Sequence, residues 1–232
     1  MNKDPKHIGI ILDGNRRFAK RLNLNPWEGH EFGYKKLKKL FKWCRELDIK
    51  ELTLYCFSMQ NFNRPKKEFD YLMDISEKAF NEILTNEDIH KYKIRINVIG
   101  RYYLFPEKVQ EKIKKIMDLT KDYKEYRINI ALAYGGREEI VDAVKKIAEK
   151  VKSKKLKIDE INEKTFAENL YLDGDLDMII RTGGEQRTSN FLPWQSIYSE
   201  WFFLEKAWPE FEKQDLVEVV EEYKNRNRRF GE

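Results

Sequence analysis

Cysteine, histidine and proline are scarce in this 232-residue chain, with two, three and six copies. Cys44 and Cys56 sit among apolar neighbours with no histidine or cysteine at metal-ligand spacing, which excludes a disulfide framework and a thiolate metal site. They read as reduced core thiols of a cytoplasmic protein. Long apolar runs are missing too. None approaches the roughly 18 residues of a membrane span, and the opening MNKDPKH lacks the apolar stretch of a secretory leader. The expectation is a soluble protein, at most peripheral to a membrane. Neither sign of charge dominates: 45 Lys and Arg face 40 Asp and Glu, leaving +5 in a chain that is 37% charged. So mild an excess is only a weak bias toward anionic partners. The lysine-rich segment 150–157 has no interleaved aromatic for base stacking, so it reads as a solvated connection and no nucleic-acid partner is expected. Repeats and domain boundaries are absent as well, and 1–232 reads as a single domain with one continuous core.

What the chain does contain is an alternation of short aliphatic runs with longer segments of helical period. The runs are His7–Leu12, Leu52–Phe57, Ile94–Ile99, Ile128–Ala133 and Met178–Ile180. Between the first two, Leu37, Leu40, Phe41, Cys44 and Leu47 recur at three- and four-residue steps, giving one apolar helix face over 33–48. The same spacing predicts helices over 66–85, around Val109–Met117, over Ile140–Val151 with Val141 and Val144 on the apolar face, and over 213–227. The fold class is therefore α/β: a mostly parallel central sheet flanked by helices.

In such a sheet, ligands bind beyond the carboxyl ends of the strands. Those ends are unusually polar here. The first run leads into Asp13-Gly14-Asn15-Arg16-Arg17, the second into Ser58-Met59-Gln60-Asn61-Phe62-Asn63-Arg64, and the fifth into Arg181-Thr182-Gly183-Gly184 and on to Arg187-Thr188-Ser189. Arg16, Arg17, Arg64, Arg181 and Arg187 are placed to converge, and guanidinium forks suit phosphate oxygens. The expected ligand is a phosphate or diphosphate, although neither a dinucleotide nor a Walker fingerprint is present. Asp13 would repel it unless a divalent cation intervened, since Mg2+ takes one or two carboxylates plus phosphate oxygens. The alternative is that Asp13 caps the following helix. His30 after Gly29 is open to a purely structural reading, and Asp173, Asp175 and Asp177 read as a solvated turn. Trp194, Trp201 and Trp208 with Phe202 and Phe203 read as core or dimer interface.

HIGIILDGNRRFAKR with Gly29-His30, LTLYCFSMQNFNRP, NIALAYGGREEIVDA, IIRTGGEQRTSNFLPWQ and a closing RNRRFG resemble, in order and over nearly the whole chain, the cis-prenyltransferases of the undecaprenyl diphosphate synthase family. The resemblance implies repeated condensation of isopentenyl diphosphate onto an allylic prenyl diphosphate, farnesyl or geranylgeranyl, with cis geometry. The product would be a long, undecaprenyl-like polyprenyl diphosphate, the precursor of a glycosyl carrier lipid. It also implies Mg2+, a homodimer, and a hydrophobic tunnel between sheet and helices. By the same resemblance, Asp13 is the central catalytic residue and a metal ligand, and Glu200 is the second metal carboxylate, supplied across the dimer interface. Gly14, Asn15, Arg16, Arg17, Phe18 and His30 match the allylic site. Asn61 matches a proton-handling residue, flanked by Ser58, Met59, Gln60, Phe62 and Arg64 in a candidate lid. Arg181, Arg187, Thr188 and Ser189 fall in the isopentenyl diphosphate site, and Arg229 with Gly231 match a carboxyl-terminal motif reaching the partner copy. Product release implies peripheral membrane contact.

Two departures stand out. The family often has arginine four residues before the His30 position, where this chain has Pro26, and Arg16 replaces a common glycine. Arg16 taking over the missing phosphate contact is the expectation. The rivals are a non-catalytic subunit of a heteromeric prenyltransferase, which the presence of Asp13, Arg17 and Asn61 opposes, and a phosphate- or nucleotide-binding α/β module, which the missing fingerprints oppose.

Overall fold

The computed structural model describes residues 4–226. Six strands form one sheet in the order β3-β4-β2-β1-β5-β6: β1 (His7–Ile11), β2 (Glu51–Ser58), β3 (Ile94–Ile99), β4 (Tyr126–Tyr134), β5 (Met178–Arg181) and β6 (Glu200–Phe203). Every pairing is parallel, so the sheet is wholly rather than mostly parallel. Strand β6 is an addition to the five runs read from the sequence. It is four residues long and aromatic rather than aliphatic, and its Trp201 and Phe203 rings stack with centroids 5.8 Å apart.

Eight helices flank the sheet among the described residues: α1 (Asn15–Arg21), α2 (Gly29–Glu46), α3 (Lys66–Thr85), α4 (Glu87–Lys91), α5 (Glu107–Thr120), α6 (Gly136–Lys152), α7 (Glu163–Ala167) and α8 (Lys213–Asn225). The main core lies on one sheet face, joining β1 to β4 with α2, α3, α5 and α8. A smaller cluster around Tyr55, Tyr134, Ile179 and Phe191 covers the other face. Alternate residues of β1 serve the two clusters, as a strand buried on both faces requires: Ile8 and Ile10 point one way and Ile11 the other.

Helix α2 begins at Gly29, four residues ahead of the apolar period. A β-carbon at Gly29 would lie 2.0 Å from the Asn15 carbonyl oxygen, and one at Gly33 would lie 2.3 Å from Asn15 Oδ1. The two glycines, one helical turn apart, let α1 lie directly on α2. Helix α6 departs from its predicted face. Ala143 and Ile147 are buried, but Val141 and Val144 are about half exposed. The helix is turned to carry Glu139 inward, where its carboxylate accepts from the Tyr134 hydroxyl, the Tyr171 N–H at 2.8 Å and Gln195 Nε2 at 3.0 Å. Burial, only partly offset by those donors, raises its pKa above the carboxylate value.

Strands β1 and β5 are neighbours whose onward connections leave in opposite directions, toward β2 on one side and β6 on the other. The crevice beyond their carboxyl ends is the topological switch point of the sheet. Ile11 pairs in register with Arg181, which brings the segments after both residues together.

Candidate active site

Asp13 stands at that crevice and its backbone is pinned. The carbonyl accepts from Thr182 Oγ1 at 2.8 Å and from the Trp208 N–H at 2.8 Å. Gly14 follows with φ 98° and is itself the N-cap of α1, with no side chain capping that helix. The capping alternative for Asp13 is therefore not the one the chain adopts. Its carboxylate faces cations instead: Arg181 Nη2 donates to Oδ2 at 2.9 Å, Arg17 Nη2 lies 3.1 Å from Oδ1, and the Gly14 N–H donates to Oδ1 at 2.6 Å. Burial pushes the Asp13 pKa up, but the Arg181 hydrogen bond, the Gly14 N–H and the two guanidinium charges together hold it below the ordinary carboxylate value.

Arg181 is 3% exposed. Its Nη1 donates to the Arg187 carbonyl and, at 2.7 Å, to Ser189 Oγ. Glu185 bridges Arg17 at 3.3 Å and Arg187 at 2.5 Å. Close approach is essential here: a β-carbon at Gly183, whose φ is 91°, would come within 2.9 Å of Arg17 Nη2.

A second group of cations gathers on Glu68, in the first turn of α3. Its Oε1 lies 2.8 Å from Arg64 Nη1, 3.3 Å from His30 Nε2 and 3.7 Å from Arg16 Nε, and the side chain is 2% exposed. The His30 hydrogen bond is the largest influence on this carboxyl. With Arg64 and Arg16 it outweighs burial and keeps the Glu68 pKa low. Burial lowers the His30 pKa in turn, and the Arg64 and Arg16 charges reinforce the shift against Glu68, so the imidazole is neutral near pH 7. A neutral imidazole uses Nε2 either to donate to Glu68 or to accept from Arg64, whose Nη1 is 3.1 Å away.

Both cationic groups open into one cavity of about 1100 Å³. Asp13, Arg16, Arg17, His30, Arg181 and Arg187 line its polar end. Beyond them the walls are aliphatic and aromatic, with Leu54 from β2, Leu132 from β4, Leu37 and Phe41 from α2, and Leu72 and Phe80 from α3. The site thus joins a cluster of phosphate-compatible donors to a deep apolar slot. No helix of the described residues is long and apolar enough to cross a membrane.

A family model described as "Putative undecaprenyl diphosphate synthase" matches residues 11–231. The chain belongs to the undecaprenyl diphosphate synthase family of cis-prenyltransferases. It is 49% identical to the "Tritrans,polycis-undecaprenyl-diphosphate synthase (geranylgeranyl-diphosphate specific)" of Methanopyrus kandleri over 230 residues, covering 98% of this chain and 84% of that protein. The protein of the same name from Pyrococcus horikoshii is 49% identical over 229 residues, covering 98% and 87%. Among solved structures, lavandulyl diphosphate synthase from Lavandula x intermedia, in complex with dimethylallyl diphosphate, matches with a TM-score of 0.92 at 38% identity over all of both chains. A "probable undecaprenyl diphosphate synthase" from Campylobacter jejuni matches with a TM-score of 0.82 at 35% identity, again over all of both. This cis-prenyltransferase is thus a prenyl diphosphate synthase, a transferase.

In the cis-prenyltransferase, all five arginines singled out in the sequence line the cavity, together with Gly14, Asn15, Ser58 and Asn61. Ser189 meets the site through Arg181. Other positions do not reach the cavity. Phe18 packs edge-on against Phe32, with centroids 5.3 Å apart. Phe62 joins Phe57, Phe69 and Phe105 in an aromatic cluster, and Met59 packs on the same core. Gln60 and Thr188 are exposed. Glu200 opens β6 in register with Met178, at the amino ends of the strands and so at the other end of the sheet from Asp13, and its Oε2 accepts from Arg226 Nη1 at 2.7 Å. The chain alone does not bring Glu200 to Asp13. Arg229 and Gly231 lie outside the described residues. Of the acidic trio, Asp173 and Asp175 are exposed as expected, whereas Asp177 Oδ2 accepts the Lys6 and His7 N–H groups at 2.8 and 3.0 Å. Cys44 is buried and Cys56 half-buried, both as free thiols. Glu68 and Glu185 escaped the sequence reading. The signal for Glu68 was its four-residue spacing from Arg64, masked by the intervening Pro65.

The donor set decides which metal suits the site. Among the described residues no three His, Cys, Asp or Glu side chains cluster as a protein cage. Asp13 is a single hard carboxylate at the cavity wall, its side chain 28% exposed, with lone pairs left on both oxygens after its three donors. That suits a cation which takes one carboxylate and completes its sphere with phosphate oxygens and water, the habit of Mg2+.

Proposed function

We propose that this cis-prenyltransferase elongates geranylgeranyl diphosphate with successive isopentenyl diphosphate units to a long, undecaprenyl-like polyprenyl diphosphate, the precursor of a glycosyl carrier lipid. The observation that carries the reading is the continuity of the cavity, from an arginine-lined polar end to an apolar slot. The primer follows the specificity in the names of the relatives from Methanopyrus kandleri and Pyrococcus horikoshii.

In each cycle the C–O bond to the allylic diphosphate breaks. A C–C bond forms to the terminal alkene carbon of isopentenyl diphosphate, and one proton is lost. Arg16, Arg17 and Arg64 bind the departing diphosphate and meet its growing negative charge with preorganised donors. Arg181, Arg187 and Ser189 hold the diphosphate of the incoming unit. Asp13 is the residue that would hold Mg2+, which when bound would add charge neutralisation to the leaving group. Asn61, whose Oδ1 accepts the Ser58 N–H at 3.0 Å, is fixed at the cavity wall and orients the group that accepts the proton. No covalent nucleophile takes part.

The active unit in this reading is a homodimer in which the partner copy supplies the Glu200 carboxylate and the Arg229–Gly231 segment. Ile197 and Tyr198, 70% and 60% exposed beside β6, support a partner on that edge. Peripheral contact with a bilayer serves release of the product. Incubation of the purified protein with labelled isopentenyl diphosphate, Mg2+ and allylic primers of increasing length, followed by sizing of the extract, tests the proposal. Chains elongated best from the geranylgeranyl primer are expected; no elongation from any primer would reject it.

A further inference from the structure

Helix α6 opens at Gly136, behind Gly135, with no side chain of its own to cap it. The cap comes from Asn190, more than 50 residues further along the chain. Its carbonyl accepts the Gly136 N–H at 2.8 Å, its Oδ1 accepts the Arg137 N–H at 2.9 Å, and its Nδ2 donates to Glu138 Oε2 at 3.1 Å. The first N–H groups of a helix have no partner within it, so these acceptors meet a real need. The seat is tight: a β-carbon at Gly135 would lie 2.9 Å from Asn190 Nδ2, and one at Gly136 would lie 3.1 Å from the Asn190 carbonyl oxygen.

The loop held in this way is strained. Ser189, Asn190 and Leu192 have φ of 50°, 62° and 47°, a left-handed conformation that asparagine tolerates and the other two adopt only where their surroundings enforce it. On one side of Asn190, Ser189 Oγ accepts from Arg181 Nη1 at 2.7 Å. On the other, Phe191 stacks on Tyr55 with ring centroids 4.7 Å apart, and the Tyr55 hydroxyl lies 3.3 Å from the Ser189 carbonyl oxygen.

We propose that Asn190 is a positioning residue for the incoming isopentenyl diphosphate, fixing Ser189 and Arg181 by clamping their loop to the first turn of α6. The inference rests on the prenyl-transfer reading above. Asn190 is not part of the cavity wall, so it acts through its neighbours. Arg181 reaches Asp13 with Nη2 and the loop with Nη1, and its guanidinium is aimed only while both ends are held. Without the clamp the strained residues relax, and Ser189 Oγ leaves Arg181. The allylic end is spared, because Arg16, Arg64 and His30 are gathered by Glu68 on α3 and not by this loop.

The test is steady-state elongation by the full-length protein with Mg2+, varying isopentenyl diphosphate at saturating geranylgeranyl diphosphate and then the reverse. Asn190→Ala is expected to raise the KM for isopentenyl diphosphate about tenfold, near the worth of one charge-assisted hydrogen bond, with the allylic KM unchanged. Asn190→Asp keeps the acceptor for the Arg137 N–H but sets its carboxylate against Glu138, and should raise the same KM. Adding Glu138→Gln to that variant restores a donor facing an acceptor, with the roles exchanged, and should bring the KM back toward the wild-type value. An unchanged KM for isopentenyl diphosphate in Asn190→Ala, or an equal rise in both constants, would overturn the proposal. Should Asn190→Ala fold poorly, the Asn190→Asp pair decides: a double variant no better than Asn190→Asp alone would overturn the clamp. A wild-type protein that elongates nothing overturns the prenyl-transfer reading, and this inference with it.

Discussion

Arg64 Nη1 donates to Glu68 Oε1 at 2.8 Å, tying the end of the Met59–Asn63 turn to the first turn of α3. The same oxygen faces His30 and Arg16, so one buried carboxylate sets the position of three groups around the polar end of the cavity. Removing it leaves the part-buried Arg64 guanidinium without its closest carboxylate, and breaking a buried pair from one side costs about 3 kcal/mol. Glu68→Ala is expected to lower the melting temperature by roughly 6–12 °C, given about 2–4 °C per kcal/mol in a chain of this size. Activity should fall with it, while Glu68→Gln, which keeps the shape, should restore more stability than turnover. Calorimetry and steady-state rates on both variants check this; an unchanged melting temperature in Glu68→Ala would exclude the structural role.

Arg16 has its side chain 54% exposed, with its Nε 3.7 Å from Glu68, on the same wall as Pro26. If it supplies the phosphate contact that an arginine at position 26 gives other members, Arg16→Ala should raise the KM for the allylic diphosphate by about tenfold, near the worth of one charge-assisted hydrogen bond. The KM for isopentenyl diphosphate should stay put. Equal changes in both constants would argue for a general loss of fold instead.

Asp13 is central to the proposed chemistry and yet partly open to water. Its replacement by alanine is expected to depress kcat by a factor of at least about 10², the scale of a lost electrostatic group in a preorganised site. A stability cost of the same order as that of Glu68→Ala is expected as well, because Arg181, 3% exposed, loses the carboxylate to which its Nη2 donates. Single-turnover rates and thermal melts separate the two effects. Substantial residual turnover in a well-folded Asp13→Ala protein would remove Asp13 from the centre of the mechanism.

His30 predicts a pH dependence. Its pKa in the folded chain lies below the ordinary 6.5. Between those two values the unfolded chain binds more protons than the folded one, so stability rises with pH through this window and is lost as pH falls below 6.5. His7 is shifted in the same direction and adds its own share. Urea midpoints between pH 5 and 7.5 should therefore climb for the wild type and climb less steeply for His30→Gln. Parallel curves for the two proteins would mean that the imidazole is not held neutral.

Much of this architecture was legible because apolar period and strand-end polarity are local signals. The five aliphatic runs became five strands, and the arginines after three of them line one cavity. What escaped was decided by tertiary contacts. The strand EWFF is too short for its alternation to speak. The early start of α2 depends on a helix that must lie against Gly29 and Gly33. Val141 and Val144 have the spacing of a buried face, but the hydrogen bonds available to Glu139 turn α6 the other way. Phe18 and Phe62 occupy positions that match a substrate site, and they pack instead on Phe32 and on the aromatic cluster around Phe57. Glu68 was hidden for the opposite reason: a lone acid opening a helix ordinarily faces solvent.

The cavity between α2 and α3 occupies space that a domain of this size normally fills with side chains. A hydrocarbon chain threaded through it would stabilise the folded protein as any ligand of the native state does. Resistance to heat then becomes a record of how far synthesis has gone. The melting temperature should climb as the chain lengthens and drop when it departs, so that the molecule is at its sturdiest in the moment before it lets go.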